Sequence, residues 1–475
     1  MWRNSWLGLL LGCAAPPPET GAYLSDTAGE TPDVVLQSEV VMRCPDELGA
    51  CVTGFGDLCQ LGTAIAVNED LLAYSCPSAG GQSGPEFPLS SYVFIHALDN
   101  GALSPAVGGI GHAEPVFPDA GVYGFPAIGV RVFLPGDVTG DGAEDVVAVD
   151  ADPAFEMGGP VIVATGPFDV AATGAWNGGV VALTGAGRPW SGAPCGDVSG
   201  DGLADLCLDT GVIFGPVVTG TEARSIWWGA DAQPATRVAW VDLAGTGSKG
   251  LLRWEEPSGS VGWFAAPQVG ELPFAAADEV FLLGVGLRGE SFLVADLDGD
   301  GSEEALFATT DPEGASVWQL RVGAPSELLV RLPPRTGKPQ TMASVDSTWC
   351  PLWEAEPVGD FAYPDENRYL CHTVGLTSGD LDGDGALDLA VGWDSEVRVY
   401  RLDPAGPVLG RWWVDPSTYP DASELGAAMV AVDLTGDGQR ELLVGAPEVA
   451  GGFHWAPSGF LGVVLPESYL DPTTP

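Results

Sequence analysis

Gly379–Asp388 reads GDLDGDGALD, and the apolar run DLAVGW follows at once, from Asp388 to Trp393. Counting from Asp380, carboxylates stand at positions one, three, five and nine (Asp380, Asp382, Asp384, Asp388), glycines at four and six, and Ala386 at seven. Alternating oxygen donors around glycines suit calcium, a hard cation that takes six to eight oxygens at about 2.3–2.6 Å from carboxylates, a backbone carbonyl and water. The glycines let the chain turn where a Cβ would clash. The expected ligands are therefore the four carboxylates and the carbonyl of Ala386.

Four more copies keep this scheme. They place Asp137, Thr139, Asp141, Ala143 and Asp145, then Asp197, Ser199, Asp201, Leu203 and Asp205, at positions one, three, five, seven and nine. The others are Asp296, Asp298, Asp300, Ser302 and Glu304, and Asp433, Thr435, Asp437, Gln439 and Glu441. About five structural calcium ions are expected. A sixth, worn copy keeps Asp242 but has Ala244, Thr246 and Gly250 at the later positions, with Lys249 beside the ninth, and is expected to hold no metal. An EF-hand shares the opening of this pattern but needs a bidentate Glu at position twelve. Position twelve is Ala148, Leu208, Phe307, Val391 or Val444, so the loops run into strands instead.

A strand, a D-x-D-x-D-G-x-x-D loop, a second strand and Gly-Ala-Pro, best seen in LGAAMVAVDLTGDGQRELLVGAP from Leu425 to Pro447, resembles the FG-GAP repeat of integrin α subunits. GFGDLCQLGTAIAVNEDLLAYSCP, from Gly54, resembles a variant in which Asn68-Glu69-Asp70 replaces the calcium loop. The resemblance spans roughly 52–466 and implies an all-β fold, an FG-GAP-type β-propeller, with calcium as its metal. Repeat spacings of 45 to 84 residues suit four-stranded blades. Seven repeats give seven blades, with six or eight as alternatives, the eighth hidden around Met342 to Trp353. Asp33–Met42 is the expected strand that closes the ring against Gly459–Leu465.

The N-terminus carries Arg3, the apolar stretch Trp6–Leu11, and Leu10-Leu11-Gly12-Cys13, which resembles a bacterial lipobox. That reading makes 1–12 a lipoprotein signal peptide, Cys13 the lipidated residue, the Pro-rich segment 13–32 a flexible tether, and 33–470 the propeller with an insertion at 331–372. A conventional signal with a coincidental Cys is the alternative. The location that follows is the bacterial cell envelope, outer membrane or cell surface, with membrane contact only through the anchor. Nine cysteines leave eight once Cys13 is set aside, enough for four disulfides in an oxidising compartment. The pairings suggested are Cys195–Cys207, Cys59–Cys76, Cys44–Cys51 and Cys350–Cys371.

The formal net charge is −47, from 65 acidic and 18 basic residues, which argues against a nucleic-acid partner. No run of 18 apolar residues occurs, and 67 glycines and 40 prolines interrupt any helix. The four histidines show no H-E-x-x-H spacing and there is no G-x-S-x-G elbow. Gly284-Val-Gly286-Leu-Arg-Gly289 matches a dinucleotide fingerprint literally but precedes SFLVADLDGDG, a strand rather than the helix such a site needs. The expectation is thus no enzyme, and no catalytic residue. Ligand contact is sought in the aromatic insertion, at Trp349, Trp353, Tyr363 and Tyr369, although the insertion could equally pack on its own small core. Trp227-Trp228 and Trp412-Trp413 are secondary candidates, one of each pair being core, since neighbours in a strand face opposite ways. The function expected is a calcium-stabilised envelope binding or adhesion module for a protein or glycan. The alternative is a structural docking subunit of an envelope complex.

Overall fold

In the computed structural model, the residues described are those of 64–464 other than 69, 80–89, 100–101, 104–107, 112–127, 151–160, 169–179, 184–191, 219–223, 229–236, 256–257, 285–286, 312–313, 333–373, 394–395, 404–405, 415–425, 434–437 and 447–459. They form seven sheets in chain order, antiparallel but for one parallel pair, and a single 3-10 turn, Phe274–Ala276. The inner strands are Ile65–Val67, Ile128–Gly136, Gly192–Pro194, Val238–Val241, Arg288–Ala295, Gly375–Gly379 and Met429–Val432. Each pairs with the strand that follows it, and that strand pairs outward in turn. Each inner strand also lies beside the inner strand of the next sheet, and Met429–Val432 touches Ile65–Val67. This radial order makes the chain an all-β propeller. Six sheets have four or five strands and are full blades, while sheet 7 has three described strands. Sheet 3 gains its fifth strand from the chain of sheet 4, as Gly270–Glu271 pairs in parallel with Ile226–Trp227.

The second strand of each blade explains why the sequence reads as continuous apolar runs after each loop. Each is covered on both faces, so its alternate residues enter two different cores. In Asp145–Asp150, Val146 and Ala148 pack toward sheet 1, and Val147 and Val149 toward sheet 3. In Leu206–Leu208 the outer two residues face sheet 2 and Cys207 faces sheet 4. In Glu304–Asp311, Ala305 and Phe307 face sheet 4, and Leu306 and Ala308 face sheet 6. Burying each Val, Leu or Phe contributes about 1.5–3 kcal/mol, so these seams dominate cohesion. The position-twelve residues Ala148, Leu208, Phe307, Val391 and Val444 are all core. No metal-binding Glu could be accommodated there without a buried charge.

Sheets 6 and 7 approach more closely than side chains would permit. A Cβ on Gly392 would lie 2.2 Å from the carbonyl oxygen of Gly426, and one on Gly375 would lie 2.0 Å from it. Among the described residues no helix is long and apolar enough to cross a membrane. The expected insertion is shorter at its start than 331–372, because Arg331 belongs to the outer strand Glu327–Leu332 of sheet 5. Cys13, the expected strand 33–42, the segment 342–353, and Trp349, Trp353, Tyr363 and Tyr369 lie outside the described residues. So do Cys44, Cys51, Cys59, Cys350 and Cys371.

Candidate metal loops and the rim they form

Each repeated loop is the hairpin between an inner strand and the second strand of its blade. The register places the residue before position one opposite the residue at position nine: Gly136 opposite Asp145, Ala295 opposite Glu304, Gly379 opposite Asp388, Val432 opposite Glu441. All the loops therefore emerge on one rim, where the inner strands end.

Position one organises the turn. Asp137 accepts hydrogen bonds from the backbone N–H groups of Gly140, Asp141 and Gly142, at 2.6, 3.1 and 2.8 Å. Asp197 does the same for Gly200, Asp201 and Gly202, and its slight desolvation is outweighed by these donors, so its pKa is lowered. Asp380 accepts from Gly383 and Gly385, whose φ values of 77° and 88° are costly for any other residue. Position five caps the second half of the turn: Asp141, Asp201, Asp300 and Asp384 each accept from the N–H at position seven.

Position nine behaves differently. Asp145, Asp205, Glu304, Asp388 and Glu441 are all buried. Asp145 Oδ2 accepts from the N–H groups of Val138 and Thr139, both at 2.9 Å, and Oδ1 accepts from Gly166 at 3.2 Å. Asp205 repeats this with Val198, Ser199 and Gly215. Glu304 accepts from Leu297, and Asp388 from Leu381. The ninth residue is thus a clamp across the neck of the loop. Burial pushes the carboxyls of Asp145, Asp205 and Glu304 up from their ordinary values. Asp388 is pushed up to about 6, by burial and then by the charge of Asp382.

Two loops bring carboxylate oxygens together within 4.8 Å of one another: Asp296 with Asp298 and Asp300, and Asp380 with Asp382 and Asp388. Asp296 Oδ1 is buried and has no hydrogen-bond partner among the described residues. The Asp382 side chain is 8% exposed and ion-pairs with the guanidinium of Arg401. Thr139 and Ser199 instead turn their hydroxyls to Asp145 and Asp197 within their own loops. Thr435 and Asp437 lie outside the described residues, while Asp433 accepts from Gly438 as the pattern requires.

The worn loop keeps the turn but changes its charge. Asp242 accepts from Thr246 and Gly247, and Lys249 Nζ lies 2.6 Å from Glu303 of the next loop. Glu303 also accepts from the N–H of Asp242, at 3.0 Å. This is one case of a wider contact that sequence reading missed: the residue at position seven or eight rests on the preceding loop. Ala204 donates its N–H to the carbonyl of Asp137, Ser302 lies against Gly245, and Gln439 lies against Gly383. Asn68 hydrogen-bonds to Glu144, joining the loop-less turn of sheet 1 to sheet 2.

Residues 380–444 match the FG-GAP-like repeat model. That stretch runs from the loop of sheet 6 into the second strand of sheet 7, the unit in which one FG-GAP-like loop follows another. No curated protein matches the chain. Solved structures that resemble it include the periplasmic gluconolactonase of Pseudomonas aeruginosa, at 12% identity and TM-score 0.42, covering 74% of this chain and 83% of that one. A Lactobacillus plantarum protein is 12% identical with TM-score 0.30, covering 85% and 88%. An Agrocybe aegerita lectin described as recognising non-reducing terminal N-acetylglucosamine is 15% identical with TM-score 0.40, covering 86% and 97%.

The disulfide expected from spacing is present. Cys195 and Cys207 are bonded, with Cα atoms 5.9 Å apart, and staple the two strands just beyond the Asp197–Asp205 loop. Trp227 is 37% exposed and Trp228 is 2% exposed, one outward and one in the core as alternation requires.

Proposed function

We propose that this protein is a calcium-stabilised, non-catalytic binding module of the bacterial cell envelope, anchored through Cys13, that recognises a protein or glycan by loops on a propeller. The three-stranded sheet 7 is read as the seventh blade, completed by the segment 33–42. The observation that carries the calcium reading is the buried, unpartnered Oδ1 of Asp296 beside Asp298 and Asp300. A buried carboxylate oxygen without a donor costs several kcal/mol, and a divalent cation removes that cost. Asp382, almost wholly buried beside Asp380 and Asp388, fits the same ion. Calcium bound there would supply charge neutralisation and a rigid cross-link between strands. The aspartates and glutamates would hold it, and the clamps at position nine would keep the loop mouth closed.

Calcium binding to the folded chain alone raises stability by mass action. The melting temperature is therefore expected to fall in excess EGTA and to recover with calcium but not with an equal concentration of sodium. An unchanged melt would overturn the calcium reading. Hydrolysis of gluconolactone above the buffer rate would overturn the non-catalytic part. The second reading, a docking subunit, has its own support in the outer strand Glu279–Leu282 of sheet 4, where Val280 and Leu282 are exposed. Co-purification of a stoichiometric envelope partner that is lost on Leu282→Glu would favour it.

A further inference from the structure

We infer that Arg401 is a tethered counter-ion for the acidic loop of sheet 6, and that it makes this loop a weaker, exchangeable calcium site beside a tighter one in sheet 5. This rests on the calcium reading above and ranks two of its sites. The two loops are matched in their carboxylates. Asp296, Asp298 and Asp300 bring oxygens within 4.8 Å of one another, and so do Asp380, Asp382 and Asp388. They differ in what neutralises that charge.

In sheet 5 the three aspartates accept only backbone N–H groups of their own loop among the described residues, from Gly301, Asp300 and Ser302. Lys249 reaches this loop, but at Glu303, which is not among the converging carboxylates. In sheet 6 the guanidinium of Arg401 ion-pairs with Asp382 Oδ2. The Asp382 side chain is 8% exposed and that of Arg401 is 60% exposed, so a solvated arm holds a buried carboxylate. Arg401 also stands directly opposite Asp388 in the pairing of Asp388–Trp393 with Glu396–Asp403. Its charge therefore lies beside two of the three carboxylates. The contact is one of charge rather than of aligned donor and acceptor, since Asp382 Oδ2 has no hydrogen-bond partner. Such a contact is readily displaced.

Placement alone does not make this pair. Arg321 follows Leu320, which pairs with Ala305, and so takes the corresponding place beside Glu304. Its guanidinium turns to Gln319 Oε1, at 3.0 Å, and not to the loop of sheet 5. The two blades thus carry an arginine at the same register position, and only that of sheet 6 is aimed at the cluster.

Two consequences follow for a divalent cation in sheet 6. It has to displace the guanidinium from Asp382, and it has to enter a site where a positive charge is already held. At the high effective dielectric of an exposed rim these weaken binding by about tenfold. The same guanidinium keeps Asp382 paired when the ion leaves, so release from sheet 6 strands no buried charge. Release from sheet 5 leaves Asp296 Oδ1 without a partner. The ion of sheet 5 is then structural and that of sheet 6 responsive to calcium concentration.

The test titrates the full-length protein, stripped with EGTA and dialysed, with calcium chloride by calorimetry, and records the melting temperature in EGTA and in calcium. Wild type is compared with Arg401→Gln, Arg401→Lys, Arg321→Gln and Asp382→Asn. Wild type should show classes of site about tenfold or more apart, the weaker one lost in Asp382→Asn. Arg401→Gln should tighten that class by about tenfold, while Arg401→Lys, which keeps the charge, and Arg321→Gln should leave it unchanged. Arg401→Gln should melt below wild type in EGTA and yet gain more from calcium, a pair of signs that a merely structural role would not give. Unchanged or weaker calcium binding in Arg401→Gln overturns the inference, as does an equal effect of the glutamine and lysine variants. A tightened class that survives in Arg401→Gln combined with Asp382→Asn would place the effect in another loop and also overturns it. Calcium binding that no Arg401 variant alters removes this inference and leaves the calcium reading standing. No calcium binding by the wild type removes both.

Discussion

The ninth residue of each loop separates two roles that the repeat motif merges, and Asp145 is the place to pull them apart. Its carboxylate accepts from Val138, Thr139 and Gly166. Asp145→Ala would leave three backbone donors at a buried neck without an acceptor. Each unmet donor costs about 1–3 kcal/mol, and burial of the carboxylate, which already raises its pKa, returns part of that. A net loss of about 3–4 kcal/mol is expected in EGTA, before calcium enters at all. Asp145→Asn keeps one acceptor oxygen and should lose about half as much. Asp141 is exposed and accepts only from Ala143 among the hydrogen bonds found, so Asp141→Ala should stay within about 1 kcal/mol in EGTA. In calcium both alanine variants should lose the contribution of the ion as well, so the gap between them should persist. Urea unfolding followed by tryptophan fluorescence, with and without EGTA, reads all four conditions. Equal losses for Asp145→Ala and Asp141→Ala in EGTA would refute the clamp.

Three other outcomes follow from the same structure. Replacing Cys195 and Cys207 by serine should cost about 2–4 kcal/mol, given a sequence separation of 12, and non-reducing peptide mapping should recover the linked pair from the wild type. Gly392→Ala should destabilise by about 3 kcal/mol or more, because its Cβ would meet the Gly426 backbone at 2.2 Å; a wild-type melt would show that the seam of sheets 6 and 7 can open. Asp388 in the folded, metal-free chain titrates near 6, above its ordinary value of 3.8, so the folded state binds the extra proton between those values. Stability in EGTA should therefore rise as pH falls from 7 toward 5, and Asp388→Asn should flatten that slope.

The fold was legible in the sequence because its signal repeats and each copy is local. Nine residues specify a turn, the apolar run after them specifies a strand, and position twelve excludes the helical alternative. The Cys195–Cys207 pair was legible for the same reason, since both residues flank one hairpin. The clamp was only half visible: spacing marks Asp145 and Glu304 as expected calcium ligands but not as the hydrogen-bond acceptors that close the neck. The contacts of Glu303 with Lys249 and of Arg401 with Asp382 join residues far apart in sequence, and no periodicity announces them. A cavity of about 160 Å³ among the inner strands, lined in part by Arg131, Glu290 and Val374, was invisible for a stronger reason. Arg131, Glu290 and Val374 come from three repeats and share no motif, and only the circular order of the sheets brings them together.

The seating of four loops upon their predecessors, those that begin at Asp137, Asp197, Asp296 and Asp433, has an evolutionary consequence. A propeller that grows by copying one repeat needs every copy to fit whichever neighbour it acquires, and a latch that faces backward from the seventh and eighth positions provides that fit within a few residues. The fourth repeat shows what this permits. Without carboxylates at its third, fifth and ninth positions, it keeps its seat through Lys249 and the N–H of Asp242, both held by Glu303 of the repeat that follows it. Decay of one copy is thereby absorbed by the ring, and the chain is free to specialise its repeats one at a time.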